Sequence, residues 1–427
     1  MSTGQVIALK RGPGRPLARQ EPIGVLDIGT SKMCCLVARL RGDGGFAVQG
    51  IGYQQAEGLR AGEVVDTEAV ESSILAVVHE AEKQAGHTLR EVVVGISAGR
   101  PRSQLATVEL DLAGRAVTSA DLARALAHAR AEAQADGALV LHALPVEITL
   151  DGSQPLREPR GMIGRRLRVA AHLVGAAAAP VHNLIATVER CHLEVAGVVA
   201  APYAAALGCL SEDEAMLGAL VIDMGSGVTG VARFAGGRLR EIHAVPLGGS
   251  HVTQDLAFGL SIGRSQAERL KTLYGSVLPR AGDAHQRLEV TGLGDPDDPP
   301  AQIVTRAMLT EIVRPRVEET FQLVRARLEA GSLPPSAPRL VLTGGASQLE
   351  GVVELAEESF GLPARAGRAR SFNGSQSALD LAAGTTAAGL LVWASRDDGG
   401  LALGPSRGTP MITARLARLG QWLRENF

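Results

Sequence analysis

The most constraining feature of the sequence is a short pattern that occurs twice, about 196 residues apart. An apolar run ends in an aspartate, a glycine-containing turn follows, and apolar residues resume, first at Leu26–Lys32 (LDIGTSK) and again at Val221–Thr229 (VIDMGSGVT). Apolar runs without alternation are typical of strands buried on both faces. One strand–turn–strand unit repeated in two halves of a chain indicates a duplicated fold.

Both turns carry residue types that suit a phosphate ligand. Glycine lets the backbone approach the ligand, hydroxyl and N–H groups donate hydrogen bonds, and a lysine adds a compact positive charge. We predict that a nucleotide lies between the two halves and contacts Asp27, Gly29, Thr30, Ser31 and Lys32 of the first turn and Asp223, Gly225, Ser226, Gly227 and Thr229 of the second. A single D-x-G-T turn is more often an ordinary β-turn, so the repetition carries this prediction.

The two aspartates, Asp27 and Asp223, are the candidates to hold a metal ion. Mg²⁺ keeps several waters and takes one or two carboxylates together with phosphate oxygens. We therefore expect Mg²⁺ to be held by both side chains through water.

Two further segments have the composition of nucleotide contacts. Leu340–Leu342 is predicted to be a strand that runs into residues 343–346 (TGGA), where a double glycine lets a base or ribose lie flat on the backbone. Ala267–Gly275 (AERLKTLYG) is predicted to be a helix with a glutamate and a lysine on one face. The residues added to the predicted site are Glu268, Lys271, Gly344, Gly345 and Ala346. The alternatives are an ordinary β-turn-α junction and a solvated surface ion pair.

Lysine is scarce, which makes each lysine informative. Only four of the 43 Lys+Arg residues are lysine: Lys10, Lys32, Lys83 and Lys271. Two of these four fall in predicted nucleotide segments. Coding bias explains most of the scarcity, but the positions of Lys32 and Lys271 single them out as candidate phosphate and adenosine contacts.

Composition excludes several classes of protein. Hydrophobic residues make up 45% of the chain, which excludes a wholly disordered protein, and a net charge of −2 argues against a nucleic-acid partner. The four cysteines lack metal-ligand spacing and fit a reducing compartment. The N-terminus lacks the long apolar core of a signal peptide, and the longest apolar stretches fall short of a membrane span.

The pattern along the chain predicts an α/β protein with two duplicated mixed-sheet cores and small inserted subdomains. The expected segments are a disordered basic tail (1–20), a first core (21–89 and 173–215), a small α+β insert (90–172), a second core (216–258 and 306–394), a second small insert (259–305), a flexible linker (395–410) and a terminal helix (411–427). Ile303–Ala330 is expected to form one long helix kinked at Pro315, and the arginines from Arg157 to Arg168 are expected on a solvated loop.

The terminal segment 411–427 (MITARLARLGQWLRENF) has the pattern of an amphipathic membrane helix. Apolar residues recur every three or four positions and arginines flank them, which suits an interface with anionic lipid. The predicted membrane contacts are Ile412, Leu416, Leu419, Trp422, Leu423, Phe427, Arg415 and Arg418. One short helix should bind weakly because isolated short helices are marginal in water, so we expect self-assembly to supply avidity. The alternative is a helix docked on the protein's own core.

These motifs resemble those of the actin/Hsp70/sugar-kinase superfamily and, within it, the FtsA family of bacterial cell-division proteins. The residues that carry the resemblance are Leu26–Lys32, Val188–Cys191 (VERC), Leu220–Val228, Ile312–Arg316 (IVRPR), Leu342–Gly351 (LTGGASQLEG) and Gln421–Phe427 (QWLRENF). The resemblance runs from about Ile23 to the end of the chain.

The resemblance implies an actin-like two-lobed fold that binds ATP and Mg²⁺ between its lobes. It implies a peripheral protein on the cytoplasmic face of the inner membrane at the division site. There it would self-assemble, tether FtsZ filaments through the second insert and recruit later divisome proteins. The second turn departs from the family pattern, because Ser226 replaces a glycine and Gly230 stands where many relatives have an acid. At most slow ATP hydrolysis is therefore expected.

Two alternatives belong to the same superfamily. A sugar or acid kinase needs a positioned general base, and no third acidic motif stands out in the sequence. An actin-like protein of pilus assembly is not expected to carry a linker and amphipathic helix such as 395–427. An Hsp70-type chaperone is disfavoured because no substrate-binding domain follows residue 394.

Overall fold

The computed structural model of the protein describes residues 22–42, 45–135, 139–290, 302–330, 337–370 and 384–395. The expected tail at 1–20, the linker after residue 395 and the amphipathic helix at 411–427 lie outside the described residues. Among the helices that are described, none is both long and apolar enough to cross a bilayer.

The described part of the chain contains both strands and helices. The strands are β1 Ile23–Ile28, β2 Lys32–Leu40, β3 Phe46–Gln55, β4 Leu59–Arg60, β5 Glu63–Val64, β6 Glu91–Ile96, β7 Arg102–Asp111, β8 Leu139–Leu150, β9 Arg166–Ala176, β10 Glu194–Ala200, β11 Ala219–Met224, β12 Thr229–Ala235, β13 Arg238–Val245, β14 Arg287–Val290, β15 Gln302–Thr305, β16 Leu340–Thr343 and β17 Ala364–Ala366. The α-helices are α1 Thr67–Ala85, α2 Ser119–Ala135, α3 Ala178–Arg190, α4 Ala201–Cys209, α5 Glu212–Leu217, α6 Gly249–Gly259, α7 Arg264–Tyr274, α8 Arg306–Glu329, α9 Val352–Phe360 and α10 Thr385–Ala394.

Two mixed sheets of the same design form the two lobes. The first-lobe sheet has the strand order β10-β6-β1-β2-β3, and the second-lobe sheet has the order β13-β12-β11-β16-β17. In each sheet the strand that carries the aspartate pairs antiparallel with the next strand and parallel with a later one: β1 with β2 and β6, and β11 with β12 and β16. The predicted α/β class with duplicated mixed-sheet cores is confirmed.

Helices α4 and α10 lie close together and join the lobes. Leu390 and Leu391 of α10 are buried in the first-lobe core, although they come late in the chain. A methyl group at Gly389 would lie 1.7 Å from the carbonyl oxygen of Ala204, and one at Gly208 would lie 2.1 Å from that of Thr385. Only glycine permits this approach of two helix backbones.

The structure corrects the expected long helix at Ile303–Ala330. Residues 302–305 form β15, which pairs antiparallel with β14, and α8 begins only at Arg306. The β-branched residues before the helix favour a strand, and the Thr305 side chain accepts a hydrogen bond from the N–H of Met308 as the helix N-cap. Pro315 lies inside α8.

The expected arginine loop is also partly corrected, because Arg166 and Arg168 belong to strand β9. This strand pairs with β7 and β8 in a three-stranded insert sheet that packs against α2. The arginines alternate with the buried Leu167 and Val169, so the same strand has a charged face and a core face. Strand β6, within the expected insert range 90–172, pairs in the first-lobe sheet, so the insert sheet itself begins at Arg102.

Candidate functional site

The two repeated turns have the same backbone geometry. The N–H of Gly29 donates to the carbonyl of Lys32 at 3.0 Å, and the N–H of Gly225 donates to the carbonyl of Val228 at 3.0 Å. A methyl group on either glycine would lie within 2.8 Å of the carbonyl oxygen across its own turn. Each glycine is therefore required by the turn itself, and Lys32 and Val228 occupy equivalent positions.

The turns face each other across the cleft between the lobes. A methyl group at Gly227 would lie 2.7 Å from the Oγ1 atom of Thr30 and 3.1 Å from the Cα atom of Ala61. The Thr30 hydroxyl accepts a hydrogen bond of 3.0 Å from the N–H of Gly62, which fixes its orientation. The first and second predicted segments are thus brought together by the fold.

The third predicted segment closes the same site. Gly344 has a φ of 84°, and a methyl group on it would lie 2.5 Å from an oxygen of the Asp223 carboxylate. A methyl group at Gly345 would lie 3.7 Å from Nζ of Lys32. The glycine turn after β16 therefore contacts the second aspartate and faces the lysine of the first turn, leaving the backbone exposed at Gly345.

The fourth predicted segment joins the site through α6. The ammonium group of Lys271 is only 12% exposed and donates to the Gly249 carbonyl at 3.1 Å, to Thr253 Oγ1 at 2.8 Å and to Glu268 Oε2 at 2.7 Å. A methyl group at Gly249 would lie 3.2 Å from Cβ of Ala346. This contradicts the alternative of a solvated pair for Lys271, although Glu268 itself remains 54% exposed.

The electrostatics of the site are dominated by two neighbouring carboxylates. Burial, followed by the charge of Asp223, raises the pKa of Asp27 to about 7, and nearby Lys32 opposes that rise. Burial raises the pKa of Asp223 to about 6, while Lys32 and a hydrogen bond from Thr386 oppose it. Burial also lowers the pKa of Lys32. Placing like charges in a low-dielectric cleft disfavours ionisation of both acids.

A magnesium ion fits this donor set. Two adjacent carboxylates whose ionisation is disfavoured would be relieved by a divalent cation, and both supply the oxygen ligands that Mg²⁺ prefers. In the part of the chain that is described, no group of three or more His, Cys, Asp or Glu side chains could hold a metal ion. Asp27 and Asp223 would therefore share the ion with water and with oxygens of a bound ligand.

One predicted contact does not face the cleft. Thr229 is fully buried, and its hydroxyl donates to the Leu247 carbonyl at 2.8 Å. Ser226 lies at the turn, and its carbonyl accepts hydrogen bonds from both N and Oγ of Ser250, each 2.8 Å long. Thr229 thus braces the second turn from behind, while Ser226 connects it to the start of α6.

Sequence reasoning missed the residues that support the site from other elements. These residues are Gly249, Ser250 and Thr253 of α6 and Thr385 and Thr386 of α10. The sequence L-G-G-S at 247–250, directly before a helix, is the available signal, since glycines and a serine at a helix start suit close contact with an anion. Thr385 offers no comparable local signal; its hydroxyl lies 2.7 Å from that of Thr343.

Comparison with known proteins places the whole chain in one family. The family model for cell division protein FtsA matches residues 220–389, and that for the SHS2 domain inserted in FtsA matches residues 98–175. The chain is 39% identical to cell division protein FtsA of Rhizobium meliloti, over 96% of both chains. The chain belongs to the FtsA family of cell division proteins. The corresponding Pseudomonas aeruginosa protein is 35% identical, over 94% of this chain and 97% of the relative.

Solved structures show that this FtsA-family chain has the actin-like fold. The type IV pilus biogenesis complex PilM–PilN aligns with a TM-score of 0.63 and 18% identity, over 88% of this chain and 99% of that one. MreB5 of Spiroplasma citri bound to ADP aligns with a TM-score of 0.53 and 13% identity, over 88% and 96% of the two chains. The predicted actin-like two-lobed architecture is confirmed, as is the predicted FtsA resemblance.

Proposed function

We propose that this FtsA-family protein binds ATP with Mg²⁺ in the cleft between its lobes. The observation that carries the proposal is the convergence of Lys32, Asp223 and Gly345 on one space, although they come from three distant parts of the chain. Lys32 would contact the phosphates, and Asp27 and Asp223 would hold hydrated Mg²⁺. The exposed backbone at Gly345 and Ala346 would lie against the nucleoside, with Lys271 and Glu268 at its edge.

Nucleotide would act mainly as a ligand that favours one arrangement of the lobes. A nucleotide in the cleft would touch both turns. It would therefore stabilise the closed arrangement to the extent that it binds the closed arrangement more tightly than the open one. Gly230, where many relatives carry an acid, is pressed against Pro202, since a methyl group there would lie 2.2 Å from the proline Cγ. The lack of space for an acid at this position supports slow hydrolysis.

Titration of the full chain with ATP tests the nucleotide proposal. We expect ATP to bind in the presence of Mg²⁺ and to bind at least tenfold more weakly to Asp223→Asn, because hydrogen bonds and ion contacts to charged groups are worth about 1.5–3 kcal/mol. Turnover should stay below about 1 s⁻¹ with any sugar added. Sugar-stimulated turnover in the usual enzyme range would instead favour the kinase alternative.

We also propose that the protein assembles on the cytoplasmic face of the inner membrane and tethers FtsZ filaments there. The family membership supports a role in cell division, and the amphipathic pattern of 411–427 supports a peripheral membrane contact. We propose that the second insert, at 259–305, is the FtsZ contact. Self-assembly and the recruitment of later divisome proteins complete the proposal.

Liposome co-sedimentation tests the membrane part with two matched chains. We expect the full chain to pellet with anionic liposomes, and a chain ending at Asp397 to stay in the supernatant with unchanged thermal unfolding. The double variant Leu419→Glu, Trp422→Glu should behave like the truncated chain. Full pelleting of either altered chain would refute the membrane helix, whereas FtsZ that pellets only with the full chain would support the tether.

A further inference from the structure

One contact between the insert and the second lobe centres on the hydroxyl group of Ser103. Oγ of Ser103, on β7, accepts a hydrogen bond of 2.6 Å from the N–H of Ile242 and donates one of 3.1 Å to the carbonyl of the same residue. Ile242 lies on β13, which is an edge strand of the second-lobe sheet. Sequence positions 139 residues apart are thereby joined by two hydrogen bonds.

The position of Ile242 in its strand explains why a serine can bond both of its backbone groups. Ile242 lies opposite Ala232 of β12, and residues of an antiparallel pair alternate between pointing their N–H and C=O groups toward the partner strand and away from it. Since both groups of Ile242 bond to Ser103, they point away from β12. An edge strand leaves such groups without a partner strand, and the Ser103 hydroxyl satisfies both.

A buried histidine completes the coordination of this hydroxyl. Nε2 of His172, on β9, lies 2.8 Å from Ser103 Oγ, and the His172 side chain is fully buried. Burial lowers the pKa of His172 to about 4, so the imidazole is neutral near pH 7. Ser103 Oγ is therefore within hydrogen-bond distance of three partners: the N–H and C=O groups of Ile242 and the His172 ring.

A second contact joins strand β8 of the insert to β13. The carbonyl of Val146 accepts hydrogen bonds from Arg238 Nη1 at 2.9 Å and from Arg240 Nη1 at 3.3 Å, both on β13. Val146 is the extra residue of a β-bulge between Pro145 and Glu147, which places it outside the regular pairing with β9. Proline cannot donate to the ladder and so favours a bulge at this point.

This second contact is polar and brings two guanidinium groups to one carbonyl oxygen. Burial and the neighbouring charges of Arg240 and Arg157 lower the pKa of Arg238. A neutral carbonyl compensates a guanidinium less well than a carboxylate does. Apolar packing accompanies the polar contacts, since Ile242 of β13 lies in the same buried core cluster as Leu144 and Val174 of the insert.

We propose that the Ser103–Ile242 contact and the Val146–Arg238–Arg240 contact form a clasp that couples the insert to the second lobe. The insert leaves the first-lobe sheet after Ile96 and returns to α3 at Ala178, so the clasp makes it a bridge between the lobes. Through the clasp, the insert is coupled to the second lobe as well as to the first.

Hydrogen–deuterium exchange of the full chain, without added nucleotide, tests the clasp. Ser103→Ala should speed exchange in the peptide covering β13 (238–245) by about tenfold and should also speed exchange around 100–106, because a buried N–H loses its acceptor. Exchange in α1 and β11 should stay unchanged. Ser103→Thr keeps the hydroxyl and should restore slow exchange.

The matched control is Ser119→Ala, which removes an exposed hydroxyl from the same insert. Arg238→Met should speed exchange at 141–150 by a smaller factor, and Arg102→Met, an exposed arginine on β7, should not. The clasp is refuted if Ser103→Ala matches Ser119→Ala in every peptide. It is refuted equally if exchange rises throughout both lobes, since the contact would then belong to the global fold.

Discussion

The two repeated turns share a backbone but differ in the side chains that they present. Their closing hydrogen bonds are both 3.0 Å long, and each aspartate ends an equivalent strand. Lys32 of the first turn has its equivalent in Val228 of the second. The duplication therefore supplied the turn geometry twice, while only the first turn carries a lysine.

The surroundings of the two turns also differ. Opposite Asp27 in the first hairpin lies Cys34, a buried side chain, whereas opposite Asp223 in the second lies Gly230. Gly230 is required because Pro202, at the start of α4, fills the space where a side chain would be. The strand after the second turn is thus packed against α4, whereas the first hairpin has a buried cysteine at the equivalent position.

The largest expected effect is on the free energy of unfolding, when the residues opposite the two aspartates are exchanged. Gly230→Cys forces a side chain onto Pro202, and such overpacking costs about 1–3 kcal/mol of the free energy of unfolding. Denaturant unfolding of the full chain measures this cost. Cys34→Gly, the reverse exchange, should cost less, and Gly42→Ala, where a methyl group meets nothing within 4 Å, should cost nothing measurable. Equal loss in all three variants would contradict the packing argument.

Removing the charge from the first turn should have the next largest effect. Lys32→Val makes the first turn resemble the second, and we expect ATP affinity to fall about 10- to 100-fold because a charge-assisted contact is lost. Lys32→Arg keeps the charge, but its planar fork does not match a point contact, so an intermediate loss is expected. Titration calorimetry measures both. Unchanged affinity in Lys32→Val would place the phosphates elsewhere.

The sequence predicted the turns because each is built from local residues. The apolar runs, the aspartates and the turn glycines all lie within a few positions of each other, and their repetition revealed the duplicated sheets. The Gly249–Lys271 contact lies 22 residues apart and depends on how α6 packs against α7, which no local pattern encodes. Strand β15 was missed for a similar reason, since it is defined by its pairing with β14 and not by its own four residues.

The pKa values of the two aspartates predict a pH-dependent affinity for Mg²⁺ and ATP. Asp27 must be ionised to accept a hydrated Mg²⁺, and its pKa of about 7 leaves it mostly protonated at pH 6. We expect affinity to rise up to about tenfold from pH 6 to pH 8, since each unit below a pKa weakens binding by that factor. Asp223, with a pKa of about 6, contributes less in this range.

The raised pKa of Asp27 changes the stability of the ligand-free protein with pH in the opposite direction. The carboxyl of Asp27 ionises near 3.8 when unfolded and near 7 when folded, so the folded state binds more protons between these values. Its contribution to the free energy of unfolding therefore falls as pH rises from about 4 to about 7. Asp27→Asn should flatten both profiles, and a persistent slope in that variant would assign the titration to another group.

The smallest loss of ATP affinity is expected from a change at Lys271, because its ammonium group is surrounded by protein acceptors. It bonds to Gly249, Thr253 and Glu268, so its main role is to hold α6 against α7 beside the third turn. Lys271→Arg keeps the charge but cannot satisfy three acceptors that converge on one nitrogen, and a loss of about two- to fivefold in ATP affinity is expected. Lys83→Arg changes an exposed lysine in the last turn of α1 and is the matched control. Because Lys32 faces the cleft and Lys271 supports it, ATP affinity should fall more in Lys32→Arg than in Lys271→Arg. The reverse order would mean that Lys271 contacts the nucleotide and Lys32 supports the cleft.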